Sequence, residues 1–215
     1  MNIYAWVLLV AAAAAAVGDW AAVAMRRPGG EQVAKPAVVL LLGAFAWLLH
    51  AEQTPPGRWL LVALALCLVG DVVLLSQTDR AFGAGLAAFL LAHLAFLALV
   101  VSMPRRDPVW VGVGLTVVVV GLVLWRVLWP LARRDVAEGG PPTAYALVLG
   151  AFVTLAWWSG HLLLGIGASL FLVSDGVLAA LRFWRPVPGG RLVVMVGYHA
   201  ALAGIVLGVL RPDLV

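Results

Sequence analysis

The chain has 215 residues, of which 64% are hydrophobic and 11% are charged, and its formal net charge is +4. Soluble domains carry about 25% charged residues, so this composition excludes a water-soluble globular protein. The arginines are scattered over many loops and form no continuous basic stripe, which argues against a nucleic-acid-binding protein. The single cysteine, Cys67, excludes an internal disulfide and a cysteine-rich zinc site, and we interpret it as a packing residue. We therefore predict an all-α polytopic membrane protein in which residues 1–215 form one domain.

Charged segments and Pro- or Gly-rich segments divide the chain into about eight apolar stretches. Most of them approach the roughly 20 residues that a helix needs to cross a bilayer. No positive charge precedes the first stretch, which favours a retained transmembrane helix over a cleaved signal peptide. A tight turn is expected near Ser159-Gly160. The predicted spans are 2–25, 35–50, 58–76, 81–102, 108–130, 142–158, 160–182 and 191–210.

Lysine and arginine are distributed unevenly between the two ends of the predicted bundle. With eight crossings, the odd-numbered loops share one side of the membrane. Because positively charged loops usually remain in the cytoplasm, the odd loops are predicted to be cytoplasmic and both termini to be non-cytoplasmic, in a bacterial plasma membrane. The odd side holds Arg26, Arg27, Lys35, Arg80, Arg126, Arg133, Arg134, Arg182, Arg185 and Arg191, and the other side holds Arg58, Arg105, Arg106 and Arg211.

Two aspartates lie inside long apolar stretches, Asp71 in the third and Asp175 in the seventh. A charged side chain in the middle of a bilayer costs roughly 3 kcal/mol or more, so such a residue is typical of a functional site. With a rise of about 1.5 Å per residue, both lie about 8–10 Å from the cytoplasmic ends of their helices. Asp19 and Tyr198 lie at a similar depth, so we predict one polar site that opens toward the cytoplasmic leaflet.

Neighbouring residues suggest how this site is built. Gly85, Phe89 and His93 recur every four residues and share one face of the fourth helix, and Asp175 shares a face of the seventh with Gly167 and Phe171. A small residue beside a polar one indicates an inward, closely packed face. The candidate catalytic residues are Asp71 and Asp175; the supporting residues are Asp19, His93, Tyr198 and Ser174; the residues expected near the cytoplasmic helix ends, where a polar group of the substrate would bind, are Lys35, Arg80 and Tyr145. His50 and His161 are expected to be solvated near the outer ends of helices.

Paired carboxyl groups in a medium of low dielectric suit acid–base chemistry, in which one acts as an acid and the other orients or deprotonates water. The sequence contains no Gly-x-Ser-x-Gly elbow, no His-Glu-x-x-His motif and no P-loop. The aspartates and His93 lack the close spacing of metal ligands, so neither a metal nor a cofactor is expected. Buried Asp and His also form the proton relays of transporters, and aspartates can simply join helices in a lipid-binding protein; both alternatives stay open.

Three short motifs follow one another along most of the chain. They are Gly70-Asp71-Val-Val-Leu-Leu, Phe82-Gly-Ala-Gly85-Leu-Ala-Ala-Phe89-Leu-Leu-Ala-His93 and Gly167-Ala-Ser-Leu-Phe-Leu-Val-Ser174-Asp175. Together with Lys35-Pro36 and Tyr198, they resemble the YhhN/TMEM86 family of lysoplasmalogenase-like membrane proteins. The chain departs from the family pattern after Tyr198, where His199-Ala-Ala-Leu-Ala lacks the polar residue that members often carry about four residues later.

The resemblance implies an eight-helix hydrolase that needs no cofactor. Its substrate would be a 1-alkenyl lysophospholipid, cleaved at the vinyl ether bond to a fatty aldehyde and a glycerophospho-base. A protonated aspartate would deliver a proton to the β-carbon, and an ionised one would stabilise the oxocarbenium ion and activate water. The phosphate would lie near the cytoplasmic face, where Lys35 and Arg80 would meet it. The expected partners are thus the lysophospholipid and the lipid bilayer, and no nucleic acid.

Overall fold

The fold is all-helical over the residues that the computed structural model describes, which are 3–76, 78–123, 136–183 and 187–211. A short 3-10 turn, Ala51–Gln53, precedes the third helix, and the described residues contain no strand. The prediction of an all-α protein is therefore confirmed. The α-helices are α1 (Ile3–Ala24), α2 (Pro28–Leu48), α3 (Pro55–Leu74), α4 (Asp79–Ser102), α5 (Trp110–Val123), α6 (Val136–Trp158), α7 (Leu162–Phe183) and α8 (Gly190–Leu210).

Six of these helices, α1 to α4, α7 and α8, are long and apolar enough to cross a membrane. Helices α5 and α6 contribute shorter apolar sections, Trp110–Leu122 and Thr143–Trp158. Many large apolar side chains point outward, among them Val33, Val101 and Val111. Lipid accommodates such a surface, whereas water would penalise every exposed apolar side chain. The chain is an integral membrane protein.

Most predicted spans agree with the helices, and two helix starts differ. Helix α2 begins at Pro28, not at residue 35, because Pro28 takes the first turn and the helix continues through Pro36. Lys35 consequently lies about two turns inside the helix. Helix α6 begins at Val136 rather than at 142, which moves Tyr145 inward as well.

The tight turn is confirmed at Ser159-Gly160, where Gly160 has φ +76°. The end of the fifth predicted span, 124–130, and Arg126, Arg133, Arg134 and Arg185 lie outside the described residues.

Helices that are adjacent in sequence pack most closely, as the pairs α1–α2, α3–α4 and α7–α8. Helix α8 also contacts α1, α2 and α3, while α6 packs against α4, α5 and α7. Aromatic rings join the pair α3–α4 to the pair α7–α8: the Phe89 ring centroid is 6.4 Å from that of Phe171 and 5.8 Å from that of Tyr198. These contacts hold two helix pairs face to face and leave a space between them toward the odd-loop end.

Helices α7 and α8 approach each other closely, and the contact requires glycine. A Cβ atom on Gly167 would lie 2.7 Å from the backbone nitrogen of Ile205 and 2.8 Å from the carbonyl oxygen of Ala201. On the facing helix, a Cβ on Gly204 would lie 3.1 Å from the Cα of Gly167. In lipid, small residues allow backbones to pack this closely, so the predicted role of Gly167 is confirmed.

Gly167→Ala is expected to lower the melting temperature of the protein in detergent, because the new methyl group overlaps backbone atoms that cannot move aside. Overpacking of this kind typically costs about 1–3 kcal/mol. Gly176→Ala is the matched control on the same helix, since nothing lies within 4 Å of its Cβ position. Alanine is the better helix former, so this variant should melt at the same or a higher temperature. Equal destabilisation by the two substitutions would contradict the packing argument.

Candidate active site

A cavity of about 580 Å³ opens at the end of the bundle formed by the odd-numbered loops. Asp71 and Asp175 both line it, so side chains from α3 and α7 meet in one space. Apolar side chains from α3, α7 and α8 make up much of the wall. The residues that the argument uses among its lining are Glu31, Lys35, Asp71, Leu74, Phe82, Phe89, Ser174, Asp175, Leu178, Arg182, Arg191, Met195 and Tyr198.

Asp71 is held by side chains from two other helices. The Lys35 Nζ atom of α2 lies 3.2 Å from Asp71 Oδ1, and the Tyr198 hydroxyl of α8 donates a hydrogen bond of 2.8 Å to Asp71 Oδ2. Asp71 is 0% exposed and Lys35 is buried. A buried carboxylate is tolerated where it has a counter-charge and hydrogen-bond donors, so this arrangement gives Asp71 a fixed position and a balanced charge.

Asp175 has a different environment. The Tyr145 hydroxyl of α6 donates a short hydrogen bond to its Oδ2 atom, and no ion pair involves Asp175 within the described ranges. The side chain is half-buried and faces the cavity. The two aspartates therefore share a space but differ in their partners: Asp71 has an ammonium group, whereas Asp175 has only a hydroxyl group and is accessible from the cavity.

Ser174 lines the cavity, and its hydroxyl group bonds the backbone of α8 rather than a carboxylate. Its hydroxyl group donates a hydrogen bond of 2.9 Å to the carbonyl oxygen of Val194 and so joins α7 to α8 beside Asp175. A Cβ atom on Gly197 would lie 3.3 Å from the Ser174 Cβ, which shows how tightly the two helices fit here. Ser174 thus fixes the relative position of the helices that carry Asp175 and Tyr198.

His93 lies behind the cavity rather than in its wall. Its Nδ1–H donates to the carbonyl oxygen of Phe89 at 2.7 Å, and its Nε2 atom is buried without a hydrogen-bond partner among the described residues. The ring of Tyr145 is 5.4 Å away and that of Phe171 is 4.6 Å away, centroid to centroid. His93 is therefore connected to Asp175 through Tyr145, whose ring it contacts and whose hydroxyl group bonds the carboxylate.

Asp19 is buried on α1 but is not part of the cavity wall. Neither of its carboxyl oxygens has a hydrogen-bond partner in the described part of the chain. Next to it, the Trp20 indole Nε1–H donates a hydrogen bond of 3.1 Å to His199 Nδ1. This contact joins residues that are 179 positions apart, and no signal in the sequence pointed to it. It places α1 against the helix that carries Tyr198.

The arginines at the cavity mouth differ from the one predicted. Arg80 is exposed and does not line the cavity, because it lies two residues from Phe82 and two residues turn a helix by about 200°. Arg182 and Arg191 line the cavity instead. Lys35 and Tyr145, also expected at helix ends, are bonded to Asp71 and Asp175 deeper in the bundle.

His50, His161 and Cys67 do not line this cavity. His50 is exposed, as predicted, whereas the prediction for His161 is wrong: it is buried, and its Nε2–H donates to the carbonyl oxygen of Pro104 at 2.9 Å. The turn at Gly160 folds His161 back onto the loop after α4.

Cys67 is fully buried, which confirms its interpretation as a packing residue. No three His, Cys, Asp or Glu side chains of the described segments come close enough to hold a metal ion.

Comparison with known proteins shows relatives along most of the chain. The model of the YhhN family matches residues 30–209. Lysoplasmalogenase TMEM86B of Homo sapiens is 35% identical over an alignment of 183 residues, and the match covers 80% of this chain and 72% of the human protein. The lysoplasmalogenase of Mycobacterium tuberculosis is 32% identical over an alignment of 180 residues, and the match covers 75% of this chain and 66% of that protein. No solved structure matches the chain. With a family match that spans the helices of the cavity, the chain belongs to the YhhN family.

Proposed function

We propose that this protein is a membrane-embedded lysoplasmalogenase. It hydrolyses the vinyl ether bond of a 1-alkenyl lysophospholipid to a fatty aldehyde and a glycerophospho-base. Two relatives that carry this name, the human and the mycobacterial protein, are 35% and 32% identical to this chain. The observation that carries the proposal for the chemistry is the pair of aspartates, Asp71 and Asp175, which line one cavity with different partners.

Asp175 is the proton donor in this proposal. It faces the cavity, and a carboxyl group without a counter-charge is most easily accommodated in its neutral form. Tyr145 holds one carboxyl oxygen, which leaves the other to carry the proton toward the β-carbon of the vinyl ether. Protonation there breaks the carbon–carbon double bond and leaves an oxocarbenium ion on the adjacent carbon. His93 packs against the ring of Tyr145 and acts as a positioning residue.

Asp71 supplies the negative charge for the second step, and its hydrogen bond to Tyr198 makes the Tyr198 oxygen a stronger hydrogen-bond acceptor toward water in the cavity. The Tyr198 hydroxyl donates to Asp71, and the same oxygen, in the cavity wall, can accept a hydrogen from water. A water molecule oriented in this way adds to the oxocarbenium carbon and releases a proton. The resulting hemiacetal collapses to the aldehyde and the glycerol hydroxyl group, so the proton used in the first step is regained. Lys35 holds Asp71 in place.

Further residues position the helices or form the cavity wall without taking part in the reaction. Ser174 fixes α7 against α8, and Asp19 on α1 is a further buried carboxyl group, outside the cavity wall. Leu74, Leu178 and Met195 give the cavity an apolar wall against which an alkenyl chain loses its contact with water. We expect the whole chain to act as one domain, because residues from α2, α3, α7 and α8 contribute to the same site.

The cavity mouth is proposed to face the cytoplasmic leaflet of a bacterial plasma membrane. The loops around the mouth are the odd-numbered ones, which hold most of the lysine and arginine residues. Short loops rich in these residues stay in the cytoplasm. A lysophospholipid entering from that leaflet would place its phosphate near the loops and its vinyl ether among the aspartates.

The test is hydrolysis of a 1-alkenyl lysophospholipid by the purified protein in heavy water. We expect a fatty aldehyde with one deuterium on the carbon next to the carbonyl group, because the proton comes from an exchangeable carboxyl group. The same aldehyde, incubated with the protein for the same time, corrects for exchange by enolisation. No aldehyde above the protein-free control would refute the function, and aldehyde without this deuterium would refute the proton transfer.

A further inference from the structure

Two arginines stand at the mouth of the cavity, and each is paired with a carboxylate from a facing helix. Arg191 of α8 donates from one nitrogen to both carboxylate oxygens of Glu31 on α2, at 2.7 and 2.9 Å. Arg182 of α7 pairs with Asp79 on α4. The side chains of Arg182 and Arg191 are 41% and 61% exposed. Both guanidinium groups are therefore accessible to a ligand that enters the cavity.

The positions of these arginines match those of the residues proposed for the chemistry. Arg182 lies seven residues after Asp175 on α7, and Arg191 lies seven residues before Tyr198 on α8. Seven residues are nearly two full turns, so each arginine shares a helix face with the deeper residue and lies about 10 Å from it along the axis. A glycerol backbone and an arginine side chain together span a distance of this order.

A phosphate group of a ligand can replace the carboxylates in the ion pairs of these two arginines. A solvent-exposed pair such as Arg182–Asp79 contributes only about 0–1 kcal/mol, and Arg191 keeps an exposed guanidinium group although its partner Glu31 is half-buried. A guanidinium group binds a phosphodiester through two parallel hydrogen bonds. The Arg182 guanidinium carbon also lies 4.6 Å from the centroid of the Phe82 ring, a cavity residue, which holds the group over the mouth. Lys35, the remaining cation among the described residues that line the cavity, is already bonded to Asp71.

We propose that Arg182 and Arg191 form the subsite for the phosphodiester of the substrate. Glu31 and Asp79 occupy the two guanidinium groups when the cavity is empty and give way to the phosphate when the lipid binds. This assignment rests on the proposed function, because it names the group that recognises the head-group side of the same substrate. It makes the mouth selective for phosphate-bearing alkenyl lipids over the neutral 1-alkenylglycerols.

The experiment compares two substrates in mixed micelles at equal mole fraction, a 1-alkenyl lysophospholipid and the corresponding 1-alkenylglycerol, which has no phosphate. Arg182→Gln and Arg191→Gln are each expected to raise the KM for the phospholipid about tenfold and to leave the kinetics with the alkenylglycerol within about twofold. Arg80→Gln is the matched control, an exposed arginine at the same end of the bundle, and should change neither substrate. Glu31→Gln removes the competing carboxylate and should lower the KM for the phospholipid.

Binding without turnover separates this proposal from the proposed function. A 1-alkyl lysophospholipid, which has no vinyl ether to cleave, should raise the melting temperature of the wild type and not that of the double Arg182→Gln/Arg191→Gln variant. If the wild type cleaves neither substrate but shows this difference, the function is wrong and the subsite stands. If Arg182→Gln and Arg191→Gln impair hydrolysis of both substrates equally, or of neither substrate, the assignment of the subsite is wrong. Inorganic phosphate that stabilises the protein as strongly as the lipid analogue would overturn the assignment to a lipid head group.

Discussion

Asp175→Asn is expected to lower the rate of aldehyde release by about 10²–10⁴-fold, the range that a positioned general acid contributes. Asparagine has nearly the same size as aspartate, and its carbonyl oxygen can still accept the hydrogen bond from Tyr145. The fold should therefore remain, while the only lost property is the ability to deliver a proton from the accessible side of the cavity. The measurement is kcat/KM of the purified variant with a 1-alkenyl lysophospholipid, together with its melting temperature.

The matched control is Asp107→Asn, which removes a carboxylate from an exposed position in the loop after α4, away from the cavity. Its activity should equal that of the wild type. Full activity of the Asp175→Asn variant would remove Asp175 from the mechanism. A large fall in its melting temperature would instead show that the carboxyl group stabilises the fold, since replacing one oxygen by an amide nitrogen hardly changes the size of the side chain.

The depth of the site was predictable from the sequence because a helix has a fixed rise per residue. Asp71 and Asp175 each lie a few residues before an odd-numbered loop, and this spacing alone places them near the same end of the bundle. The periodicity of Gly167, Phe171 and Asp175 also predicted correctly which face of α7 is packed inward. Such inferences need only the geometry of one helix at a time.

The partners of the aspartates were not predictable in the same way, because they depend on helix starts and on rotation about the helix axes. Pro36 suggested the beginning of a helix at Lys35, yet α2 starts at Pro28, and the ammonium group lies deep enough to reach Asp71. Arg80 lies at the predicted end of α4, but its side chain is on the face of the helix that points away from the cavity. Arg182 was noted only as a charge that sets topology, since nothing in the sequence shows which helix faces it.

Arg191 and Trp20 illustrate the same limit at greater separation. The bond between Arg191 and Glu31 joins positions 160 residues apart, and the bond from Trp20 to His199 spans 179. Contacts of this kind follow from the order in which helices pack around the bundle. That order is a property of all the helices together, and a single sequence carries little information about it.

The ion pair between Lys35 and Asp71 should dominate the stability of the site. Asp71→Asn leaves the Lys35 ammonium group buried without its counter-charge, and Lys35→Met leaves Asp71 uncompensated at 0% exposure. Removal of one partner from a buried ion pair typically costs about 3–5 kcal/mol. Each single variant is therefore expected to unfold at a markedly lower temperature in detergent, and Asp71→Asn to lose aldehyde release as well.

The double variant Lys35→Met/Asp71→Asn separates the two roles of the pair. Neither residue is then charged, and the asparagine oxygen still accepts the hydrogen bond from Tyr198, so the melting temperature should recover most of what each single variant loses. Hydrolysis should not recover, because no negative charge remains beside Tyr198 to orient water. Additive losses of stability would show that Lys35 and Asp71 are not energetically coupled. Recovery of hydrolysis together with stability would show that the charge of Asp71 serves the fold and not the reaction.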